Sequence, residues 1–418
     1  MNCKRHRVAR SIATALAASV LAVSGLAAPL TFEEALRMAE DNAPSLTAQT
    51  AKQEAARSTA IPADALPDPQ LVLGVQNYPV DGPDRWSLDD DFMTMQMVGV
   101  MQEVPNQKKR RARREVANAT IERVVAESRI EHLQVRQAVA TAWISRYAVE
   151  HKQALFQGFY RENRLLTDTL RALIAGGRAQ PADAISAKQE AVELAEQEDI
   201  LAQQNAHARA ALRRWIGAAA DEPLTGGLPE WPISALGYGH RLQQHPELDA
   251  FGPMSREAAA RVREAEAEKT SDWSWELDYQ RRGREFGDMV SVQFTFDLPL
   301  FPGARQAPRI AARRAELNQL EAEREALSRE HAQHLEEDLA EYQRLDQAVR
   351  RNQQSLLQLA QEKVDLTMAS YRANQGELVA VVAARRELIK ARLKQVDLEA
   401  RRALIGTTLH FAYGENHP

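Results

Sequence analysis

Apolar and polar residues alternate without a break from Val290 to Leu298, with Val290, Val292, Phe294, Phe296 and Leu298 set against Ser291, Gln293, Thr295 and Asp297. Trp273, Trp275, Leu277 and Tyr279 alternate in the same way with Ser274, Glu276 and Asp278, and Leu71, Leu73 and Val75 repeat the pattern more weakly. A period of two predicts strands with one apolar and one polar face. Four are expected, at about 70–78, 92–103, 272–281 and 289–300.

The remaining long stretches have a different period. Ile121, Val125, Val135, Val139, Ala142 and Val149 keep a heptad spacing with Ser128, His132 and Arg146 at the intervening positions; Leu335, Leu339, Tyr342, Val349 and Leu356 keep it further on. Such stripes bury against partner helices in coiled-coil fashion. No proline falls between Pro105 and Pro181, so one helix is expected from about 108 to 174, and a second from about 305 to 372. Each would be roughly 100 Å long. Pro308 is tolerable only in a first helical turn.

The two halves are copies. The spacing that separates Pro105 from Pro302 also pairs "AGGRAQPADAISAKQE" (175–190) with "RANQGELVAVVAARRE" (372–387), matching Ala187 with Ala384 and Glu190 with Glu387. This is an internal duplication of a helix-strand-strand-helix-helix unit. It divides the chain into a first repeat at 29–217, a linker at 218–240 and a second repeat at 241–418, with helical turns at 175–181 and 373–377. Thr31 and Glu34, spaced as a capping box, open the first helix. In both copies a proline stands where strand gives way to helix, at Pro105 and at Pro302-Gly303.

Composition agrees with a chain built of helices. Of 418 residues only 6% are aromatic, the net charge is −5, and no balance of charge suggests nucleic acid. Lys4, Arg5, Arg7 and Arg10, the apolar run Ile12–Val23 and the small pair Ala27-Ala28 make residues 1–28 a Sec-type signal peptide. The run is short of the ~20 residues that cross a bilayer as helix. The single cysteine, Cys3, lies within that segment, so the mature chain has no disulfide, no thiolate metal site and no lipobox cysteine. With no transmembrane helix, entry into a membrane requires the strands. Their apolar face then meets lipid, and open edges forbid a sheet of four from standing alone there, so several chains must share one barrel. The prolines mark the level where strand leaves lipid. Lys108, Lys109, Arg110, Arg111, Arg113 and Arg114 then sit beside headgroups or on a solvated helix face.

At this point the whole mature chain resembles the TolC family of outer-membrane efflux proteins. The likeness is carried by "LTFEEALRMAEDNAPSL", by the two strand-helix joins, and by "AGGRAQPADAISAKQE" and "YRANQGELVAVVAARRELI". It implies a mainly α chain with membrane β, in which a homotrimer gives a 12-stranded outer-membrane β-barrel and a long periplasmic α-helical coiled-coil tunnel. It also implies three partners: outer-membrane lipid, a periplasmic adaptor (membrane fusion protein) and an inner-membrane RND transporter. The stretch from Asp68 to Arg113 is similar to the heavy-metal branch of the family, so metal cations are the expected cargo. A duct for drugs or secreted proteins shares the same features. A periplasmic coiled-coil scaffold or adaptor would account for the helices but not the strands.

The resemblance also places a periplasmic gate at the helical tips, comprising Gly176, Gly177, Arg178, Asp183, Tyr371, Asn374, Gln375 and Gly376, where Asp183 and Tyr371 link neighbouring tip helices. The family's acidic ring is not reproduced, because Ala380 and Ala383 hold its positions and Gly376 replaces a basic gate partner. On the polar strand faces, Glu276, Asp278 and Asp297 are the expected lumen acids, favouring cations. Met93, Met95, Met97 and Met101 invite soft-metal ligation, but the spacing of two assigns them to the face of Phe294 and Phe296 and to lipid. His331 and His334, near Glu330, show metal spacing with no third ligand in sight and read as a solvated face. No nucleophile-base pair, phosphate loop or paired catalytic carboxylate emerges. The chain does not read as an enzyme and calls for no cofactor.

Overall fold

The computed structural model describes residues 29–414; the signal peptide expected at 1–28 lies outside them. Two helices open the described residues, α1 (Phe32–Asn42) and α2 (Pro44–Ala60). Thr31 caps α1 by accepting the Glu34 N–H at 3.1 Å, while the Glu34 carboxylate turns to Arg37, so half of the expected box forms. The strands β1 (Gln70–Gln76) and β2 (Met95–Val104) follow.

Strand β2 runs into α3 (Gln107–Ala175), a helix of 69 residues, and α4 (Pro181–Ile216) returns along it. The short helices α5 (Ala235–Arg241) and α6 (Pro246–Asp249) lead to α7 (Phe251–Ala267) and to the strands β3 (Trp273–Arg281) and β4 (Met289–Phe296). Helix α8 (Gln306–Arg351), a π-helical turn at Asn352–Leu356 and α9 (Leu357–Arg372) form a second rod, and α10 (Leu378–Leu409) returns along it. Among the described residues no helix is long and apolar enough to cross a membrane.

The strands form one antiparallel sheet in the order β1-β2-β3-β4, so the two copies meet at the β2–β3 pair. Directly opposed residues share a face. On one face the rows read Leu71, Val100, Leu277, Val292 and then Leu73, Val98, Tyr279, Val290. On the other they read Gln70, Met101, Glu276, Gln293, then Val72, Gly99, Asp278, Ser291, then Gly74, Met97, Gln280, Met289. This corrects the assignment of the methionines. Met95, Met97 and Met101 lie on the polar face, because Val98 and Val100 take the apolar positions of β2.

The seams also depart from expectation in places. Val135, Val139, Ala142, Arg146 and Val149 are buried, but His132 is exposed. Leu356 is 47% exposed, since the π turn inserts a residue and Asn352 takes the inward position instead. The largest core joins α1, α3, α4 and α10 around the fully buried Trp143, against which Phe32 packs edge-on. There the buried Arg146 donates to the carbonyls of Ala220 and Glu222, and the Leu30–Leu224 bridge closes the segment over it.

Candidate functional site

Three places bear on function: the join between sheet and rods, the two faces of the sheet, and the helical tips. At the first join Pro105 ends β2 and Asn106 caps α3, its Oδ1 accepting the Lys109 N–H at 2.9 Å. Asp272, just ahead of β3, grips the same turn. Its Oδ1 accepts the backbone N–H of Asn106 at 2.7 Å and the Asn106 side-chain amide at 2.8 Å, and its Oδ2 meets Lys109 Nζ at 2.8 Å. Burial alone raises the Asp272 carboxyl, yet these donors outweigh it and hold the group below the ordinary aspartate range. Proline removes a ladder donor and Asn106 supplies the helix's missing partner, which is why strand passes to helix with almost no loop.

The second join is built differently. Strand β4 stops at Phe296, Asp297 sits one residue beyond it, and the chain turns through Pro302 and Gly303 to an uncapped start at Arg305. Leu298, Leu300 and Phe301 are 71%, 70% and 65% exposed along this turn. The basic run of the first join is held mainly within the chain, with Arg110 Nε on the Asp64 carbonyl at 2.7 Å, Arg114 on the Asp64 carboxylate and Arg113 near Glu264.

Glu276 and Asp278 both fall on the polar face, beside Met101, Gly99 and Met97. Gly99 is a requirement here, because a Cβ at that position would overlap Asp278 Oδ1. The apolar face has no cover from the described residues. Leu73, Val290, Phe294 and Phe296 are each at least 59% exposed.

Both tips end in one motif. Arg178 N donates to Leu173 O and Gly177 N to Ile174 O; at the second tip Gln375 N donates to Ser370 O and Asn374 N to Tyr371 O. These are Schellman caps, with Gly177 (φ +67°) and Asn374 (φ +58°) in the left-handed position. Gly176 is the C-cap of α3, and Gly376 packs against Ser370, leaving little room for a side chain. Asp183 Oδ2 accepts two hydrogen bonds, from the Gln180 N–H at 3.0 Å and from the Tyr371 hydroxyl at 3.0 Å. The carboxylate thus caps α4 and ties it to the end of α9. Burial and then this carboxylate push the Tyr371 hydroxyl up to about 12.

Sequence reasoning missed the ion pair beneath the tips. Glu190 and Arg385, both buried, meet at 3.1 Å between α4 and α10, and Asn163 of α3 donates to Glu190 at 2.9 Å. The duplication aligned Glu190 with Glu387 and said nothing of burial, so no signal in the sequence pointed to this pair. His331 also faces inward, buried and paired with Glu247 at 2.9 Å, while His334 and Glu330 stay exposed. The solvated-face reading therefore holds only for the latter two. Among the described residues His245, Glu247 and His331 are the one group of three such side chains close enough together to hold a cation.

No protein-family model and no curated protein matches the sequence. Solved structures do. The outer membrane protein VceC of Vibrio cholerae is 17% identical over 93% of this chain and 97% of its own, with a TM-score of 0.76. A membrane protein of Pseudomonas aeruginosa is 18% identical over 91% and 90%, with a TM-score of 0.78. The transmembrane channel CusC is 16% identical over 91% of each chain, with a TM-score of 0.77. At these identities what is shared is the fold, along nearly the full length of each chain.

Proposed function

We propose that three copies of this chain form an outer-membrane exit duct of the TolC type, reaching into the periplasm to meet an adaptor and an inner-membrane RND pump. The observation that carries this reading is the uncovered apolar face of a four-stranded sheet whose β1 and β4 edges have no strand partner among the described residues. Water penalises so large an apolar patch, and lipid penalises open edges. Closure with other copies in a bilayer removes both penalties, and three copies of four strands make the 12-stranded barrel. The rods α3/α4 and α8–α10 then build the tunnel, and the duct conducts passively. Their tips, with Asp183 and Tyr371, form the gate.

The cargo reading best supported is the general one, organic drugs or secreted proteins. The likeness is spread evenly over the three solved structures and so favours no specialised load. A heavy-metal load remains a second reading, favoured by the thioethers of Met97, Met101 and Met289 on the same polar face as Glu276 and Asp278. A strain lacking the protein, tested against drugs and metal salts, separates the two. Drug sensitivity alone supports the general duct, sensitivity to copper or silver alone supports the metal duct, and no sensitivity with the chain found free in the periplasm defeats both.

A further inference from the structure

Away from both sheet and tips, two buried imidazoles converge on one carboxylate. His245 precedes α6, and its Nδ1 accepts the Glu247 N–H at 3.3 Å, which fixes the ring at the start of that short helix. Glu247 points from the first turn of α6 toward α8, where its Oε2 lies 2.9 Å from His331 Nε2. The two imidazole rings are 4.0 Å apart between centroids, and one ligand atom from each of the three side chains lies within 4.8 Å of the others. On the far side of His331, the Tyr413 hydroxyl stands 3.4 Å from Nδ1. Tyr413 is itself buried in the π-helical turn that follows α10.

We propose that His245, Glu247 and His331 bind one divalent cation of the zinc class, His245 giving up its long bond from the Glu247 N–H to free a ring nitrogen, with Tyr413 orienting His331 from behind. Two imidazole nitrogens and a carboxylate oxygen are a donor set that borderline ions such as Zn²⁺ favour, with a fourth position left for water. Bonds of ~2.0–2.1 Å in a tetrahedron separate neighbouring ligand atoms by about 3.3 Å. For a cation to enter, the Glu247–His331 pair opens by a few tenths of an ångström while separations of up to 4.8 Å in the group close, and the His331 proton moves to Nδ1, where the Tyr413 hydroxyl oxygen accepts it. Tyr413 supplies the outer contact that ligating histidines usually have. The bound ion pins α6 to the middle of α8 beside the C-terminal turn, and this clasp does not depend on what the duct carries.

The test is equilibrium dialysis of Zn²⁺ with the untagged, chelator-treated full chain in detergent. One ion per chain is expected, unchanged in His334→Gln, whose side chain is exposed on the same helix. Glu247→Gln and His331→Gln should each weaken binding at least about tenfold, and Tyr413→Phe should keep the stoichiometry at lower affinity. Absence of a stoichiometric ion in the wild type, or retention of full affinity in Glu247→Gln and His331→Gln, overturns the site. If the His331 variant fails to assemble, Co²⁺ spectra decide. Intense four-coordinate bands in the wild type that vanish in Glu247→Gln support the site, and only the weak bands of the hydrated ion overturn it. Sensitivity of a deletion strain plays no part in this readout, so it stands or falls apart from the duct.

Discussion

The Tyr371 hydroxyl donates to Asp183 Oδ2 at 3.0 Å, joining the last turn of α9 to the first turn of α4 across the base of the rods. Because Asp183 also caps its own helix through Gln180, one carboxylate serves both a local and a long-range bond. In the proposed duct a charge-assisted hydrogen bond of this kind would hold the resting tip and yield to a docked adaptor.

Asp183→Ala combined with Tyr371→Phe is accordingly expected to raise resting single-channel conductance and antibiotic leakage severalfold, with Tyr371→Phe alone giving a smaller rise. Normal assembly with unchanged conductance and leakage would place the gate elsewhere. The pH dependence has a definite sign. A tyrosine whose folded pKa is pushed up to about 12 contributes stability that is complete below the unfolded value of about 10 and is lost as pH climbs from there toward 12. Conductance should rise over that alkaline interval in the wild type and be less responsive in Tyr371→Phe; Tyr160 and Tyr413, also pushed up to about 12, are the background against which the comparison is made.

The first strand-helix join predicts an acid limit. Asp272 is held below its ordinary range, so its contribution is present above the unfolded pKa of about 3.9 and disappears as pH falls below it. Asn106→Ala removes both the α3 cap and the side-chain donor to Asp272, leaving the backbone N–H in place, and should cost about 1–2 kcal/mol in resistance to unfolding. Heat or urea melting at neutral pH measures the loss. In Asp272→Asn the wild-type drop below pH 4 should be reduced in part, the rest belonging to Glu127, Glu247 and Glu257, which are also held below their ordinary range; an unaltered acid profile would remove Asp272 from the account.

Strand parity was legible where bulky residues alternate with charged ones, as in Val290–Phe296 and Trp273–Tyr279. It failed in β2. There methionine counts as apolar, Gly99 shows no side chain, and alignment to the second copy placed Met93–Met97 against the wrong face; only pairing with β3 establishes that Val98 and Val100 are outside. The tips were readable because the two copies agree, with Gly177 and Asn374 equivalent. The His331–Glu247 contact spans 84 positions with no periodic signal, and the π turn at Asn352 has neither proline nor glycine to announce it. Burial, which no local pattern reports, also decided that Glu190 pairs with Arg385.

In the proposed barrel the polar face of the sheet lines the lumen and sets its selectivity. With Glu276 and Asp278 repeated in each copy, bilayer recordings under a salt gradient should give a reversal potential on the cation side. Glu276→Gln with Asp278→Asn should move it toward zero. Anion preference in the wild type, or no shift in the double variant, would contradict the placement of these acids in the lumen.

The mass of the detergent-extracted particle tests the central claim most directly, because every step from open edges to duct requires exactly those edges to be closed by other copies in a membrane. Protein recovered from the outer-membrane fraction should have the mass of three chains by native mass spectrometry or light scattering, corrected for bound detergent, and fall to one chain on boiling. Recovery from the soluble periplasm as a monomer would contradict the account.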